Sequence, residues 1–221
     1  MTKVKICGVR TEAQLDAALN AGADLVGLVL FPKSPRNINL ATAAALCRRA
    51  HERSRAQVVV LLVDPTNSLV DDVVRSVQPD MLQLHGLESP ERVSEIRSRA
   101  GLPILKAIRV AEAADVANAP LYLAPDELAD MILFDAKPPT DPDALPGGNG
   151  LSFDWRILDG VKGKFPFALA GGLTPENARE AASLTGAFIL DVSSGVESSP
   201  GEKDPELIRR FLREAKAAKQ T

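Results

Sequence analysis

The chain is poor in the residues that most directly advertise chemistry: two cysteines, two histidines, one tryptophan and one tyrosine among 221 residues. Two cysteines, Cys7 and Cys47, build no disulfide framework and suit a reducing compartment. Two histidines as far apart as His51 and His85 offer no metal-ligand spacing, so no metal is expected. There is no basic excess either. With 26 Lys+Arg against 29 Asp+Glu, net −3, the chain lacks the charge expected of a general nucleic-acid binder. No apolar run reaches the ~18–20 residues of a membrane span, and Met1-Thr2-Lys3-Val4-Lys5 enters a strand without an apolar signal segment. A soluble cytoplasmic protein with no membrane partner is the expectation. No low-complexity stretch or linker divides the chain, so residues 1–221 read as a single domain.

What is present is a regular alternation. Apolar runs fall at 4–7, 25–30, 58–63, 81–84, 104–108, 131–134, 167–170 and 188–191. Helical patterns lie between them at 11–21, 41–53, 67–77, 89–99 and 174–184, and a charged amphipathic helix closes the chain at 204–219. Shorter helical pieces are expected at 111–118, which Pro120 breaks, and at 153–158, with a further turn at 126–129. Near-continuous apolar strands belong to a parallel sheet covered on its face. Eight such units predict a single-domain α/β fold, a (β/α)₈ TIM barrel. A doubly wound open sheet is the alternative. It usually carries a glycine fingerprint after its first strand, where Cys7-Gly8-Val9-Arg10 offers one glycine.

In a barrel the loops after the strands share one face, and active sites sit there. The strand-end residues are Cys7, Arg36, Asp64, Gln83, His85, Arg109, Asp135, Gly171-Gly172 and Asp191 with Ser193-Ser194-Gly195. Cys7 and Asp135 each end an apolar run, and we read them as a base and an acid facing one pocket. A free thiol titrates near ~8.5 and a free Asp near ~3.9, so both need help from their surroundings. Cysteine is often only a small buried hydrophobe, and that is how Cys47 reads, on the apolar face of a helix. Gly171, Gly172, Ser193, Ser194 and Gly195 form a candidate phosphate site, because loops seven and eight commonly hold phosphate in this fold. Arg36, braced by Pro32 and Pro35, has a fork suited to a carboxylate. Gln83 and His85 either line the pocket or satisfy each other. Asp191 could accept from a substrate hydroxyl or amine. Lys5 and Lys106 face inward by strand parity and raise a rival, Schiff-base aldolase chemistry. The stretch 136–152, with four prolines and three glycines, is a candidate lid.

Lys5-Ile6-Cys7-Gly8, Phe31-Pro32-Lys33-Ser34-Pro35-Arg36, Leu82-Gln83-Leu84-His85-Gly86, Leu133-Phe134-Asp135-Ala136-Lys137, Gly147-Gly148-Asn149-Gly150, Ala170-Gly171-Gly172-Leu173 and Asp191-Val192-Ser193-Ser194-Gly195-Val196-Glu197 occur in this order. Together they resemble the phosphoribosylanthranilate isomerases of tryptophan biosynthesis, almost end to end. The resemblance implies an Amadori rearrangement of N-(5-phosphoribosyl)anthranilate, a phosphosugar substrate, with no cofactor. It implies Asp135 as general acid and Cys7 as general base. Arg36 would face the anthranilate carboxylate and Asp191 the amine or a sugar hydroxyl, with loops seven and eight on the phosphate. A monomer is expected, since no large apolar patch is evident. A related sugar-phosphate isomerase or aldolase, and a non-catalytic phospholigand-binding barrel, are the competing readings.

Overall fold

A computed structural model describes residues 2–123, 129–137, 147 and 150–218. Eight parallel strands close into a barrel in sequence order. They are β1 (Lys3–Cys7), β2 (Leu25–Val29), β3 (Gln57–Leu62), β4 (Met81–Leu84), β5 (Ile104–Val110), β6 (Met131–Ala136), β7 (Phe167–Leu169) and β8 (Ile189–Val192). The ring closes where β1 pairs with β8, Lys5 standing opposite Asp191. The helices are α1 (Glu12–Asn20), α2 (Leu40–Arg53), α3 (Asn67–Ser76), α4 (Pro90–Ala100), α5 (Ala113–Val116), α6 (Pro120–Leu123), α7 (Ala178–Thr185) and α8 (Pro205–Lys216).

Alternating strand residues divide the core in two. One set, including Val4, Ile6, Val58, Val60, Phe134 and Leu190, packs outward against the helices. The other fills the barrel interior with Leu25, Val59, Leu105, Ala107, Leu133, Ala168 and Ile189. Each Val, Leu, Ile or Phe side chain among them, taken fully out of water, stabilises the fold by about 1.5–3 kcal/mol. Helix starts are set locally: Thr11, Asn39, Thr66 and Ser89 each accept an N–H of the first turn of α1, α2, α3 and α4.

The two ends of the barrel differ. At the N-terminal end, three aspartates that each precede an even-numbered strand pin the strand before it. Asp24 accepts from Val4 N at 2.9 Å, Asp80 from Val58 N at 2.7 Å and Asp130 from Ile104 N at 2.7 Å. These clamps tie that end together and leave the chemistry to the opposite, C-terminal end, where the strand-end residues gather.

The structure departs from the sequence reading at several boundaries. The expected helix at 111–118 shrinks to α5, because the Asp115 carboxylate takes the N–H groups of Ala111 and Glu112 and delays the start. Pro120 begins α6 rather than merely ending its predecessor, since a first-turn residue needs no N–H partner. The turn expected at 126–129 lies mostly outside the described residues. The short helix expected at 153–158 is a 3₁₀ helix at Trp155–Gly160. The helix expected from Thr174 begins only at Ala178. Asn177 folds 174–177 into a turn, accepting from Thr174 N at 2.8 Å and donating to Gly172 O at 2.9 Å. A small antiparallel hairpin, β9 (Glu197–Ser199) and β10 (Glu202–Lys203), was not expected. No helix among the described residues is long and apolar enough to cross a membrane.

Candidate active site

The C-terminal mouth holds a cleft of about 780 Å³, its open entrance included. It is lined by Cys7, Arg36, Gln83, His85, Asp135, Gly171, Gly172, Asp191, Ser193 and Ser194, with Gly147 and Gly150 at its edge. Ten of the strand-end candidates thus meet around one space. Three do not line it. Asp64, at φ +44°, is a loop clamp whose carboxylate accepts from Leu87 N at 2.8 Å. Arg109 stands beside Asp135 in register, half-buried, with no hydrogen-bond partner for its Nε among the described residues. Gly195 lies behind the wall, where a Cβ would collide with the carbonyl of Leu173. Its missing side chain is what lets loops seven and eight close on each other.

Asp135 sits inside β6 rather than beyond it, buried at 4% exposure. One of its oxygens accepts from Ala136 N at 3.0 Å. The other lies 3.1 Å from His85 Nε2, and His85 Nδ1 lies 2.8 Å from the Gln83 side-chain amide. Gln83 and His85, two residues apart on β4, therefore both line the cleft and satisfy each other. Gly147 closes over this row: a Cβ there would come within 2.5 Å of His85 Nε2 and 2.7 Å of Asp135 Oδ2. Of the candidate lid, 138–146 and 148–149 lie outside the described residues.

Cys7 ends β1, and Gly8 beyond it takes φ +79°. A Cβ at Gly8 would meet Arg36 Cδ at 2.6 Å, so the glycine lets Arg36 lie across the end of β1. Burial pushes the Cys7 thiol above its ordinary value, and Asp191 adds to this while Lys5 opposes it. Lys5 is completely buried, its ammonium 2.8 Å from Asp191 Oδ2. The other Asp191 oxygen is buried in the cleft wall with no partner among the described residues.

The hairpin β9–β10 supplies two residues that the sequence reading missed. Glu197 accepts bidentately from Arg36, Nε to Oε1 and Nη2 to Oε2, both at 2.8 Å. Lys203 donates to Glu197 at 2.6 Å and to the Ser193 carbonyl at 3.1 Å, and Ser193 Oγ in turn donates to the Cys7 carbonyl at 3.1 Å. Burial alone would raise Glu197, but the flanking Arg36 and Lys203 outweigh it and hold the carboxyl below its usual range. Burial pulls Lys203 down, with Glu197 opposing. Glu197 ends the Asp191–Glu197 stretch that carries the family resemblance, but the sequence reading assigns it no role.

Gly171 and Gly172 follow β7 at φ +87° and +62°, conformations that suit glycine. A Cβ at Gly171 would meet Ala136 N at 2.6 Å, and one at Gly172 would meet Ser152 at 2.7 Å. The two glycines thereby let the end of β6 and the 151–152 stretch pack against loop seven, and both glycines line the cleft. Lys106, the second aldolase candidate, is spent elsewhere: it is buried against Glu88 Oε2 at 2.8 Å and the Gly86 carbonyl at 3.0 Å. Among the described residues no group of three His, Cys, Asp or Glu side chains could hold a metal ion.

A parallel eight-stranded barrel with a thiol, a histidine-linked carboxylate and a glycine-lined pocket at its C-terminal mouth has the layout of a (β/α)₈-barrel enzyme. Residues 4–214 match the family model described as N-(5'phosphoribosyl)anthranilate (PRA) isomerase, and the chain belongs to that family. It is 52% identical over 217 residues to an N-(5'-phosphoribosyl)anthranilate isomerase of Rhodopseudomonas palustris, covering 98% of this chain and 99% of that protein. The counterpart in Cereibacter sphaeroides is 53% identical over 214 residues, covering 97% and 98%. Among solved structures, the phosphoribosyl anthranilate isomerase of Thermotoga maritima superposes with a TM-score of 0.86 at 34% identity, over 98% and 99% of the two chains. A solved structure of phosphoribosyl anthranilate isomerase in complex with reduced 1-(o-carboxyphenylamino)-1-deoxyribulose 5-phosphate gives 0.83 at 33% identity over 98% and 99%.

Proposed function

We propose that this isomerase uses Asp135 as general acid and Cys7 as general base to convert N-(5-phosphoribosyl)anthranilate into 1-(2-carboxyphenylamino)-1-deoxyribulose 5-phosphate. The observation that carries the assignment is that both side chains open into one cleft from β1 and β6. Asp135 gives a proton to the furanose ring oxygen. The C1–O bond breaks as the anthranilate nitrogen lends its electron pair to C1. Cys7, as thiolate, then takes the proton from C2, and the C2–H electron pair returns charge to nitrogen as an enolamine. C1 then gains a proton as the C2 hydroxyl loses its own, and the C=C electron pair forms the new C1–H bond while C2=O becomes the ketone. The thiol gives up the C2 proton and Asp135 regains one, which resets both groups. The substrate's own nitrogen is the electron sink, so the sequence of steps balances without a cofactor.

The Gln83–His85–Asp135 row bears on the acid. Amide oxygen and nitrogen exchange places by a flip of Gln83, so two proton arrangements share these distances. If the Gln83 NH₂ donates to Nδ1, then Nε2–H donates to Asp135, which is an anion, and the Gln83 oxygen is left buried without a partner. If the amide is reversed, Nδ1–H donates to that oxygen, Nε2 accepts, and Asp135 carries the proton. Either way one end of the Gln83 amide is left buried without a partner among the described residues, its oxygen in the first arrangement and its NH₂ in the second, and the second is the arrangement that arms the acid.

For the substrate's other groups, Gly171, Gly172, Ser193 and Ser194 cradle the phosphate, with Gly195 holding the two loops together. Arg36, oriented by Glu197, faces the carboxylate, and the unpartnered Asp191 oxygen faces the amine or a hydroxyl. Residues 1–221 act as one domain and as a monomer, because among the described residues the exposed large apolar ones, Leu87, Leu121, Leu151, Leu184 and Phe188, are few. Two free thiols fit the reducing cytoplasm.

Loss of anthranilate-type fluorescence from freshly made substrate tests the assignment. Rapid loss with the wild type and rates near zero for folded Cys7→Ala and Asp135→Asn are expected. Turnover surviving both substitutions would leave the substrate and remove the mechanism.

A further inference from the structure

A buried cation sits beneath the proposed base and has no part in the steps above. Lys5 and Cys7 share the inward face of β1, two residues apart. Lys5 stands opposite Asp191 of β8, and Cys7 stands opposite Gly27 of β2. Gly27 has ordinary strand geometry, so its glycine serves space rather than conformation. A Cβ there would lie 2.8 Å from Cys7 Sγ and 3.0 Å from Lys5 Nζ. The thiol and the ammonium therefore share the room left by one absent methyl group.

Resting on the reading of Cys7 as base, we propose that Lys5 is its positioning residue: anchored on Asp191, the ammonium fixes the thiol over Gly27 and balances the thiolate's charge. With the thiol protonated, the trio Lys5, Asp191 and Cys7 is neutral. With the thiolate it carries one negative charge, which Asp191 alone would oppose and Lys5 offsets. When the thiolate takes the C2 proton, an S–H bond forms, C2–H breaks, and the Lys5–Asp191 pair stays charged throughout. Burial by itself would lower Lys5, but Asp191 and then Cys7 outweigh it and keep it a cation. That state also denies it the free amine an aldolase would need.

The other charges around Cys7 are fixed or paired. Lys203 of β10 adds a weaker pull toward the thiolate. It is held by Glu197 of β9, which also holds Arg36 of the loop after β2. Asp135 and His85 hydrogen-bond to each other in the same cleft wall. Lys5 is the cation whose head shares the Gly27 gap with the sulfur.

The test reads the thiol directly. In a Cys47→Ala background, the rate of Cys7 alkylation by iodoacetamide is followed against pH by mass spectrometry. Lys5→Met is expected to move the midpoint upward by about one pH unit or more, a tenfold loss of thiolate at neutral pH. Because Lys5→Met leaves Asp191 as a buried unpaired charge, which by itself disfavours folding, the deciding comparison is Asp191→Asn against Lys5→Met/Asp191→Asn. The double variant removes the whole ion pair, a change buried sites often tolerate. Its midpoint is expected about one unit above that of Asp191→Asn; coincident midpoints overturn the proposal. The acid limb of kcat/KM should move with the alkylation midpoint while KM changes little. Alkylation that shifts without that limb overturns Cys7 as base, and with it Lys5 as the residue that positions the base.

Discussion

His85 Nε2 lies 3.1 Å from Asp135 Oδ2, so the tautomer of one and the proton of the other are a single variable. A proton on Asp135 requires His85 to accept at Nε2 and therefore to carry its hydrogen on Nδ1, toward Gln83. Nitrogen-15 NMR of the unliganded enzyme at neutral pH is expected to show the Nδ1–H form. An Nε2–H form would mean an ionised Asp135 and an unarmed acid. Asp135→Asn, which can no longer give up a proton, should lose about 10²–10⁴-fold in kcat with KM nearly unchanged.

Gly27→Ala tests whether the gap between β1 and β2 matters to chemistry. The new methyl would stand 2.8 Å from the Cys7 sulfur, tighter than real Cβ contacts allow. Overpacking of this kind costs about 1–3 kcal/mol, readable as a lower urea midpoint. Since the sulfur, the Lys5 ammonium and the Cys7 Cα are what the methyl presses on, kcat should fall further than that modest destabilisation explains. Unchanged kcat in a destabilised variant would make Gly27 a packing residue only.

Eight apolar runs were enough to see the barrel, because a parallel strand covered on both faces leaves an unbroken hydrophobic signature. Cys7, Asp135 and Asp191 were visible because each ends such a run. The hydrogen-bonding row through Gln83 was half visible: residues two apart on one strand share a face, but the partner on β6 depends on barrel closure. Glu197, Lys203 and the role of Gly27 were not legible. Glu197 and Lys203 sit on a hairpin of three and two residues, too short for any periodicity. Gly27 lies inside an apolar run, where only the neighbouring strand's side chains show why it is glycine.

Lys106 should prove structural. Its ammonium holds Glu88, and the other Glu88 oxygen takes the N–H groups of Asp64 at 2.9 Å and Gly86 at 3.0 Å, which ties loops three and four together. Lys106→Met leaves that carboxylate buried and unpaired, at an expected loss of about 3–5 kcal/mol in urea unfolding. Lys106→Met/Glu88→Gln should recover most of it, because the glutamine oxygen still accepts both N–H groups. Borohydride added with substrate should trap neither Lys106 nor Lys5. A trapped adduct on either would restore Schiff-base chemistry.

The Arg36–Glu197–Lys203 cluster makes a prediction about acid. Glu197 is held below the ordinary carboxylate range when folded, against about 4.3 when unfolded. A depressed carboxyl contributes stability above its unfolded value and loses it as pH falls through its folded value. Wild type should therefore exceed Glu197→Gln in stability at pH 7, and the gap should narrow steadily below about pH 4.3, as urea unfolding across that range would show. The neutral amide also loosens Arg36, whose Nε and Nη2 both rest on Glu197. Glu197→Gln should then raise KM more than it lowers kcat, the mark of a residue that aims a substrate contact. A stability gap that does not change with pH would mean that Glu197 contributes shape and hydrogen bonds rather than charge.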